Sequence, residues 1–372
     1  MTNPNIANTY RIDCLTSLRF IAASMIVVHH SRGTLYLKPD FLEKIPFDHA
    51  VSFFFILSGF ILTYNYPKFE GVQSVIKFYI ARLAKIWPIH ISSFLLLFII
   101  FLPWSYYSIK NFPNNLDAVL NILMVQGWIP IKRIYFSYNW LSWAISTEFF
   151  FYLSFPFLIN NFGRTYKYKL CGSFLLVIIL IFVCTYSTLT PELRTGILYI
   201  NPLSRLFEFI LGMSTAFLWE NYHDHIRLNK FSATLVEICA LGGAIVSIYY
   251  SFFLIRSVGK YIGTSSCEYL CHTSSAIPFA VLIFFMAMQK GILSRIFQYR
   301  GMVLLGETSF AIFMFHQIIL RFYVAHLKYF SFLPTPILYG LFWIFLILLS
   351  IGILFFIEKP SQRFIMNLYK KK

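Results

Sequence analysis

The chain has 372 residues, of which 58% are hydrophobic, 20% aromatic and only 12% charged, and its formal net charge is +16. An ordinary soluble domain has about 25% charged and about 45–50% apolar residues. This composition excludes a cytosolic enzyme, a disordered chain and a nucleic-acid-binding protein, and it indicates a polytopic membrane protein. The 31 Lys and Arg residues are spread thinly among long apolar runs, so we expect their placement to report membrane topology.

The N-terminal segment and the cysteines place few constraints on the chemistry. The first 13 residues are polar and run into a long apolar segment without a cleavage pattern, so we expect the N-terminus to be retained. The six cysteines have no zinc-binding spacing, and no metal site is predicted. Cys267 and Cys271, in a predicted loop, are either a disulfide pair or two free thiols.

The apolar segments predict an all-α bundle in the membrane. A helical span needs about 20 predominantly apolar residues. About ten transmembrane helices meet this criterion, at 12–32, 47–66, 78–102, 139–160, 169–188, 202–219, 231–254, 274–289, 302–325 and 334–357.

The segment 116–128 is predicted to be a short re-entrant or surface helix. It is shorter than a span and contains Asp117, Asn121 and Gln126. Polar groups of this kind are tolerated at membrane depth where protein or water surrounds them. We therefore leave this segment out of the count of spans.

The basic residues orient the predicted bundle. With ten spans and both termini in the cytoplasm, 18 basic residues fall on the inner side and 10 on the outer side. An eleventh span would place the basic tail at 359–372 outside, against the positive-inside rule. We therefore predict one membrane domain over residues 1–372, with a cytoplasmic tail, in the inner (cytoplasmic) membrane of the cell.

Two polar side chains share one face of the first span. Arg19 and His30 are separated by ten residues, and eleven steps of about 100° return the helix to within about 20° of its starting direction. At 1.5 Å per residue they lie about 16 Å apart along the axis, about half of the hydrocarbon thickness. Snorkelling to the inner headgroups explains Arg19 alone, and the outer interface explains His30 alone. Their shared register weakens these separate explanations, because ionisable residues within spans usually face a bundle interior or a water-filled cavity.

The fourth predicted span contains a carboxylate. Glu148 lies about nine residues inside this span, where it must be protonated or paired with a cation from another span. Trp143, Ser146 and Tyr152 flank it and are candidates for acceptor binding or for structural polar contacts. A packing ion pair is the alternative to a functional role for Glu148.

Polar residues in three other spans have open roles. Arg205 and Glu208 are three residues apart and are predicted to form a local ion pair. His316 suits an interhelical hydrogen bond as well as a functional role. Arg82 and Lys85 satisfy the positive-inside rule, or they hold phosphates at the mouth of a cavity.

These motifs together resemble the membrane acyltransferase-3 family, whose members O-acylate sugars and other envelope molecules. The resemblance covers about residues 11 to 365, in order. It includes RIDCLTSLRFIAASMIVVHH, VSFFFILSGFIL, ARLAKIWP, WAISTEFFFYLSFP, RLFEFILG, GETSFAIFMFH and the final EKP. Each string is short, but seven in order across ten spans form a specific pattern.

The resemblance implies O-acetyl transfer from cytoplasmic acetyl-CoA to a glycan hydroxyl on the outer side. Acetyl-CoA is then a substrate, no cofactor is bound permanently, and the partners are the lipid bilayer, acetyl-CoA and the glycan. Arg82 and Lys85 would hold the nucleotide phosphates, and Arg19 would line the channel. His30 would act as the general base, oriented by Glu148. A covalent acyl-enzyme through His30 or through a hydroxyl side chain is the alternative.

The sequence departs from the family pattern at two positions. The usual Arg-x-x-Arg is Arg82-x-x-Lys85, which keeps the charge but loses one planar guanidinium. His29 replaces the Tyr that often precedes the histidine, so it competes with His30 as the catalytic imidazole, although the spacing favours His30. Only 12 residues follow Pro360, so we expect a stand-alone form without an esterase-like domain.

Other functions compete with this interpretation. A transporter or flippase of a lipid-linked sugar also needs polar residues within spans, but the two halves of the chain show no repeated hydropathy signature. A glycerolipid acyltransferase is disfavoured because no histidine is followed by Asp five positions later. A non-catalytic assembly protein would use the same Arg, His and Glu residues structurally. The sequence does not define the acceptor or the oligomeric state, and it leaves a dimer open.

Overall fold

The protein is built of helices, which the computed structural model describes for residues 11–32, 45–101, 115–330 and 332–370. No strand occurs in these ranges. The helices that form the bundle are α1 (Asp13–Ser31), α2 (Ala50–Asn65), α3 (Gly71–Phe101), α4 (Asn115–Ile122), α5 (Ser142–Ile159), α6 (Phe162–Tyr186), α7 (Leu206–Tyr222), α8 (Lys230–Ile262), α9 (Thr264–Thr273), α10 (Ala276–Ala287), α11 (Arg300–Ala325), α12 (Thr335–Ile353) and α13 (Lys359–Lys370). Short helical turns connect them at Phe47–His49, Gln126–Trp128, Lys132–Tyr135, Pro191–Thr195, Gly196–Ile200, Ile292–Ile296, Leu327–Phe330 and Leu354–Glu358.

Nine helical segments within the described ranges are long and apolar enough to cross a membrane. This result confirms the prediction of an all-α polytopic membrane bundle. Nine of the ten predicted spans correspond to these segments. The tenth, 202–219, is α7, which has 17 residues, because the chain from Asn201 to Arg205 forms turns and the helix begins only at Leu206.

The short helix α7 packs closely against α2 and also contacts α6 and α10. A Cβ at Gly212 of α7 would overlap the backbone carbonyl oxygen of Ile56 in α2, and a Cβ at Gly59 of α2 would overlap that of Phe209 in α7. Small residues allow helix backbones to approach in this way in membranes. The contact explains the glycines of the SGF and FILG motifs.

In the described part of the segment between α3 and α5, residues 115–141, no helix is long enough to span the membrane, and α4 has only eight residues. Buried polar groups hold the segment in place. The Asn121 amide donates to the Ser137 hydroxyl, the Asn121 carbonyl lies 2.7 Å from His90 Nε2, and the Gln126 amide donates to the Ser142 carbonyl at 2.9 Å. These hydrogen bonds satisfy the buried polar groups of the segment, as polar groups at membrane depth require.

The loop predicted around residues 255–273 is helical. Helix α8 continues to Ile262, Gly263 turns the chain with φ +82°, and α9 follows. Cys267 and Cys271 lie one turn apart on α9 with their sulfur atoms 3.9 Å apart, and both are free thiols. The eighth span therefore begins earlier than predicted, at Thr264.

The basic tail forms the amphipathic helix α13, which packs against α3. The Tyr369 hydroxyl donates to Gln73 at 3.3 Å, and Lys359 pairs with Glu307 at 3.1 Å. Phe364 and Leu368, one turn apart, are exposed. An exposed apolar stripe beside basic residues is typical of a helix in the plane of the membrane interface.

Candidate active site

Two adjacent cavities lie within the bundle, and Val51 and Phe313 line both. We name the first the cationic cavity, and its polar lining residues are Arg19, Ser58, Arg82, Lys85, Glu148, Tyr152 and Ser309. We name the second the histidine cavity, and its polar and aromatic lining residues are His29, His30, Asp48, Phe136, Trp140, Trp143, Tyr199, His272 and Gln317. A ligand that reached from one cavity into the other would pass Val51 and Phe313.

Three cations from two helices line the cationic cavity. Arg19 comes from α1, and Arg82 and Lys85 lie three residues apart on one face of α3. Like charges among apolar side chains repel strongly unless an opposite charge compensates them. The structure therefore brings together the three cations that the sequence analysis assigned to the donor.

Glu148 of α5 supplies the compensating charge within the cationic cavity. The Ser58 hydroxyl donates to its Oε1 at 2.5 Å, and Tyr152, four residues further along α5, also forms a hydrogen bond with it. The cations that act on its carboxylate are Lys85 and Arg19. Among the described residues no Lys or Arg nitrogen forms a salt bridge with Glu148, so Lys85 and Arg19 act on its carboxylate across the cavity, and direct ion pairing of Glu148 stays a prediction.

Aromatic side chains hold Arg82 in one orientation. Its Nη2 donates to the Tyr66 hydroxyl at 3.1 Å, and its guanidinium carbon lies 5.4 Å from the Tyr66 ring centre and 5.8 Å from that of Phe78. A guanidinium fixed in this way presents a planar set of donors that matches phosphate oxygens.

His30 of α1, which lines the histidine cavity, contacts His316 of α11. His30 Nδ1 lies 3.0 Å from His316 Nε2, and His316 Nδ1 lies 3.0 Å from the Ile312 carbonyl oxygen. A carbonyl only accepts, so His316 Nδ1 carries a proton, and the neutral ring then accepts at Nε2 from His30 Nδ1. Since neutral His30 carries its single ring proton on Nδ1, its lone pair is on Nε2.

A glycine sets the distance between the two helices that carry these histidines. A Cβ at Gly306 of α11 would overlap the carbonyl oxygen of Thr16 in α1. The helices α1 and α11 form one of the most extensive contacts of the bundle. The close approach at Gly306 holds α11 against α1, and His30 and His316 meet further along the same interface.

His29 has a different hydrogen-bonding role from His30. The Arg32 guanidinium lies 2.5 Å from His29 Nδ1 and can only donate to it. Neutral His29 therefore carries its proton on Nε2 and is a donor there, not a base. Asp48 Oδ1 lies 4.0 Å from the same ring. Although several imidazoles line this cavity, no group of His, Cys, Asp and Glu in the described part of the chain could hold a metal ion.

Asp48 and His272 form a second oriented pair in the histidine cavity. His272 Nδ1 lies 2.5 Å from Asp48 Oδ2, so the ring donates from Nδ1 and, when neutral, has its lone pair on Nε2. The Tyr199 ring packs on the imidazole with ring centres 4.1 Å apart. Burial raises the pKa of the Tyr199 phenol above its ordinary value, with a further contribution from Asp48, so this neighbour stays neutral.

Arg205 and Glu208 do not line either cavity. They support the pair of Asp48 and His272 through Ser52 and Tyr199. They form a fully buried ion pair at 3.0 Å. The Arg205 guanidinium donates to Ser52 Oγ at 3.0 Å, and the Ser52 hydroxyl donates to the His272 carbonyl at 2.9 Å. Arg205 also lies 5.3 Å from the Tyr199 ring centre. These contacts confirm the predicted ion pair and assign it a structural role.

Of the remaining predicted residues, one lines each cavity and one lies outside both. Trp143 lines the histidine cavity, and its ring centre lies 4.8 Å from that of Tyr199. Ser146 accepts a hydrogen bond from the Gly127 backbone at 3.2 Å and lines neither cavity. Tyr152 belongs to the cationic cavity. Ser146 thus holds the segment before α5 in place.

The structure does not bring Glu148 to His30. Glu148 lies in the cationic cavity with Ser58 and Lys85, whereas the imidazole of His30 meets His316. The sequence analysis paired the two because each was a titratable residue within a span. The hypothesis did not consider that separate helices would supply each of them with a nearer partner.

The sequence analysis missed Asp48 and His272, and it gave Ser58 no role. Asp48 lies just before the apolar run of α2. An acidic residue is common at the start of a helix, so its position alone does not indicate a functional role. His272 was hidden in the predicted loop. Their sequence separation of 224 residues leaves no local signal, whereas Ser58 was visible within the motif LSGF.

Comparison with known proteins identifies a family and several relatives. A family described as "Acyltransferase domain" matches residues 12–359. The acyltransferase MdmB of Streptomyces mycarofaciens is 27% identical over 340 residues, which are 84% of this chain and 80% of that protein. The O-acetyltransferase OatA of Staphylococcus aureus is 21% identical over 325 residues, 83% of this chain but only 50% of OatA. No solved structure matches the chain.

Proposed function

The chain belongs to this acyltransferase family and is a multi-pass membrane O-acyltransferase, and from this premise we propose that it transfers an acetyl group from acetyl-CoA to a glycan hydroxyl. The donor would enter from the cytoplasm, and the acceptor would be a cell-surface or secreted glycan. The observation that carries the proposal is the adjacency of a cationic cavity and a histidine cavity that share Val51 and Phe313.

The cationic cavity suits the nucleotide end of the donor. Coenzyme A carries several phosphate charges, and Arg19, Arg82 and Lys85 offer three cations against the one carboxylate that lines the cavity. Charge-assisted hydrogen bonds to phosphate are among the strongest polar contacts. The extended pantetheine arm would then carry the thioester past Val51 and Phe313.

The histidine cavity suits the reacting end. The lone pair on His30 Nε2 can remove the proton of a sugar hydroxyl or attack the thioester carbon, and both reactions need this tautomer. His29 Nε2 is a hydrogen-bond donor in the same cavity and would stabilise the acyl oxygen as negative charge develops on it. His30 is therefore the imidazole on which the proposed reaction depends.

The aromatic lining of the histidine cavity supports a glycan acceptor. Trp140 is 49% exposed, and the buried Trp143 lies deeper in the same lining. Aromatic faces provide large apolar contact areas for the C–H faces of sugar rings. The Staphylococcus relative is an O-acetyltransferase, and this supports acetyl as the transferred group.

The test is acetyl transfer by the purified protein. The protein in lipid nanodiscs would receive acetyl-CoA labelled in the acetyl group, together with envelope glycans of the source cells from which mild base has removed ester groups. We expect label on the glycan that mild base releases again. A transporter or flippase would leave the glycan unlabelled, and that result would overturn the proposal.

A further inference from the structure

The histidine cavity contains two imidazoles with a fixed lone pair. His30 is oriented by His316, and His272 is oriented by Asp48 at 2.5 Å. Direct transfer from a thioester to a hydroxyl needs one general base. A second imidazole in the same cavity, held by a carboxylate as in the hydrolase triads, has no task in such a reaction.

The two imidazoles differ in where their Nδ1 proton can go. The His30 Nδ1 proton points to the neutral nitrogen His316 Nε2, which can take it up. The His272 Nδ1 proton points to the carboxylate Asp48, which stabilises the doubly protonated ring. His30 is therefore suited to lose a proton when Nε2 forms a covalent bond, and His272 is suited to gain one.

We propose that His272, oriented by Asp48, is a second catalytic residue and serves as the base for the acceptor hydroxyl, while His30 carries the acetyl group between two half-reactions. This proposal rests on the acetyl transfer proposed above. It assigns different roles to two residues of that site. Once an acetyl group is bound to His30 Nε2, that nitrogen has no lone pair, so deprotonation of the acceptor hydroxyl needs another base.

In the first half-reaction His30 Nε2 attacks the thioester carbonyl carbon. The Nε2–carbon bond forms, the carbon–sulfur bond breaks, and the sulfur leaves with the electron pair as the thiolate of coenzyme A. The His30 Nδ1 proton moves to His316 Nε2, so the acetylated ring is neutral and His316 is positively charged. Throughout the reaction His316 Nδ1 keeps its own proton, which is hydrogen-bonded to the Ile312 carbonyl oxygen.

In the second half-reaction His272 Nε2 takes the proton of the acceptor hydroxyl. The oxygen attacks the acetyl carbon, the new carbon–oxygen bond forms, and the carbon–Nε2 bond of His30 breaks. The electron pair returns to His30 Nε2 while His316 returns the proton to His30 Nδ1. His272 then gives its extra proton to solvent, which balances the protonation of the departed thiolate.

The surroundings of His272 fix its orientation, as a base requires. The Ser52 hydroxyl binds its backbone carbonyl at 2.9 Å, and the Tyr199 ring packs against the imidazole with ring centres 4.1 Å apart. The buried guanidinium of Arg205 contacts both Ser52 and Tyr199. A ring supported on several sides can keep Nε2 directed at a substrate atom.

Isotope exchange separates the two half-reactions. Without acceptor, the wild-type protein is expected to move label from radioactive coenzyme A into the acetyl-CoA pool, because the first half-reaction is reversible. H272Q should keep this exchange within about 3-fold and lose acetyl transfer to de-esterified glycan by about 100-fold or more. D48N should behave in the same way, and H30A should lose both activities.

The controls distinguish this proposal from the proposed function. H326Q changes a histidine that lines neither cavity and should keep both activities. Wild-type protein that transfers acetyl groups but shows no exchange would overturn the acetyl-His30 step. H272Q that retains transfer, or that loses exchange and transfer equally while its thermal unfolding is unchanged, would overturn the role of His272. Wild-type protein without any transfer would instead overturn the proposed function.

Discussion

The cationic cavity and the histidine cavity are neighbours that are built by different means. The cationic cavity takes its charges from the middle of long apolar helices, with Arg19 on α1, Lys85 on α3 and Glu148 on α5. The histidine cavity takes most of its polar groups from helix ends, where Asp48 precedes α2 and His272 is the penultimate residue of α9. One region therefore binds by charge, and the other orients lone pairs.

This difference shows how the two halves of an acyl transfer can be kept apart. The charges that hold an anionic donor would disturb an imidazole if they were close, because a nearby cation disfavours the protonated ring. Here His30 contacts His316 and His29, and the three cations assigned to the donor line the other cavity together with Glu148. The cation beside the imidazoles, Arg32, donates to His29 and does not line the histidine cavity. Substitutions in the two cavities should therefore change different kinetic parameters.

The largest expected effect is that of H30A. Loss of the catalytic imidazole should lower kcat by about 10²- to 10⁴-fold, whereas KM for acetyl-CoA should stay within about 3-fold because the cationic cavity is intact. Steady-state kinetics with labelled acetyl-CoA measures both parameters. H326A serves as the matched control, since His326 directly follows the helix that carries His316 and lines neither cavity.

The second largest effect should come from G306A, which tests the helix contact that both cavities need. The added methyl group would overlap the Thr16 carbonyl oxygen, so α1 and α11 must move apart. A displacement of about 1 Å at a catalytic group can cost about 10²-fold. We expect a fall in kcat of that order and a lower unfolding temperature. G340A adds the same methyl group into open space and should change neither.

The sequence predicts the cationic cavity better than the histidine cavity for a physical reason. A charge inside an apolar run is costly and therefore conspicuous, which singled out Arg19, Arg82, Lys85 and Glu148. The helical period also placed Arg19 and His30 on one face. Pairing between helices has no such signal. The contact of His30 with His316 spans 286 residues, and only the packing at Gly306 shows why these two rings meet.

Substitutions R82A and K85A should weaken the binding of acetyl-CoA without changing the chemical step. Each removes a cation from the cationic cavity, and one charge-assisted contact is worth about 1.5–3 kcal/mol, so KM for acetyl-CoA should rise about 10- to 100-fold while kcat changes little. Added salt should narrow the difference from wild type. K77A removes an exposed charge from the same helix outside the cavity, and an equal rise in KM for this variant would reassign Arg82 and Lys85 to topology.

The smallest effect, and the sharpest test of the comparison, is that of E148Q. The amide still accepts a hydrogen bond from Ser58 but no longer offsets Lys85 and Arg19. The cavity becomes more positive, so KM for acetyl-CoA should fall by about 3-fold, opposite in sign to R82A, and the unliganded protein should unfold more easily because the cations repel. Since His30 takes its orientation from His316, kcat should stay within about 3-fold of wild type. A loss of kcat as large as that of H30A, with KM unchanged, would mean that the carboxylate acts on the imidazole across the boundary at Val51 and Phe313, and the two cavities would then work as one catalytic unit.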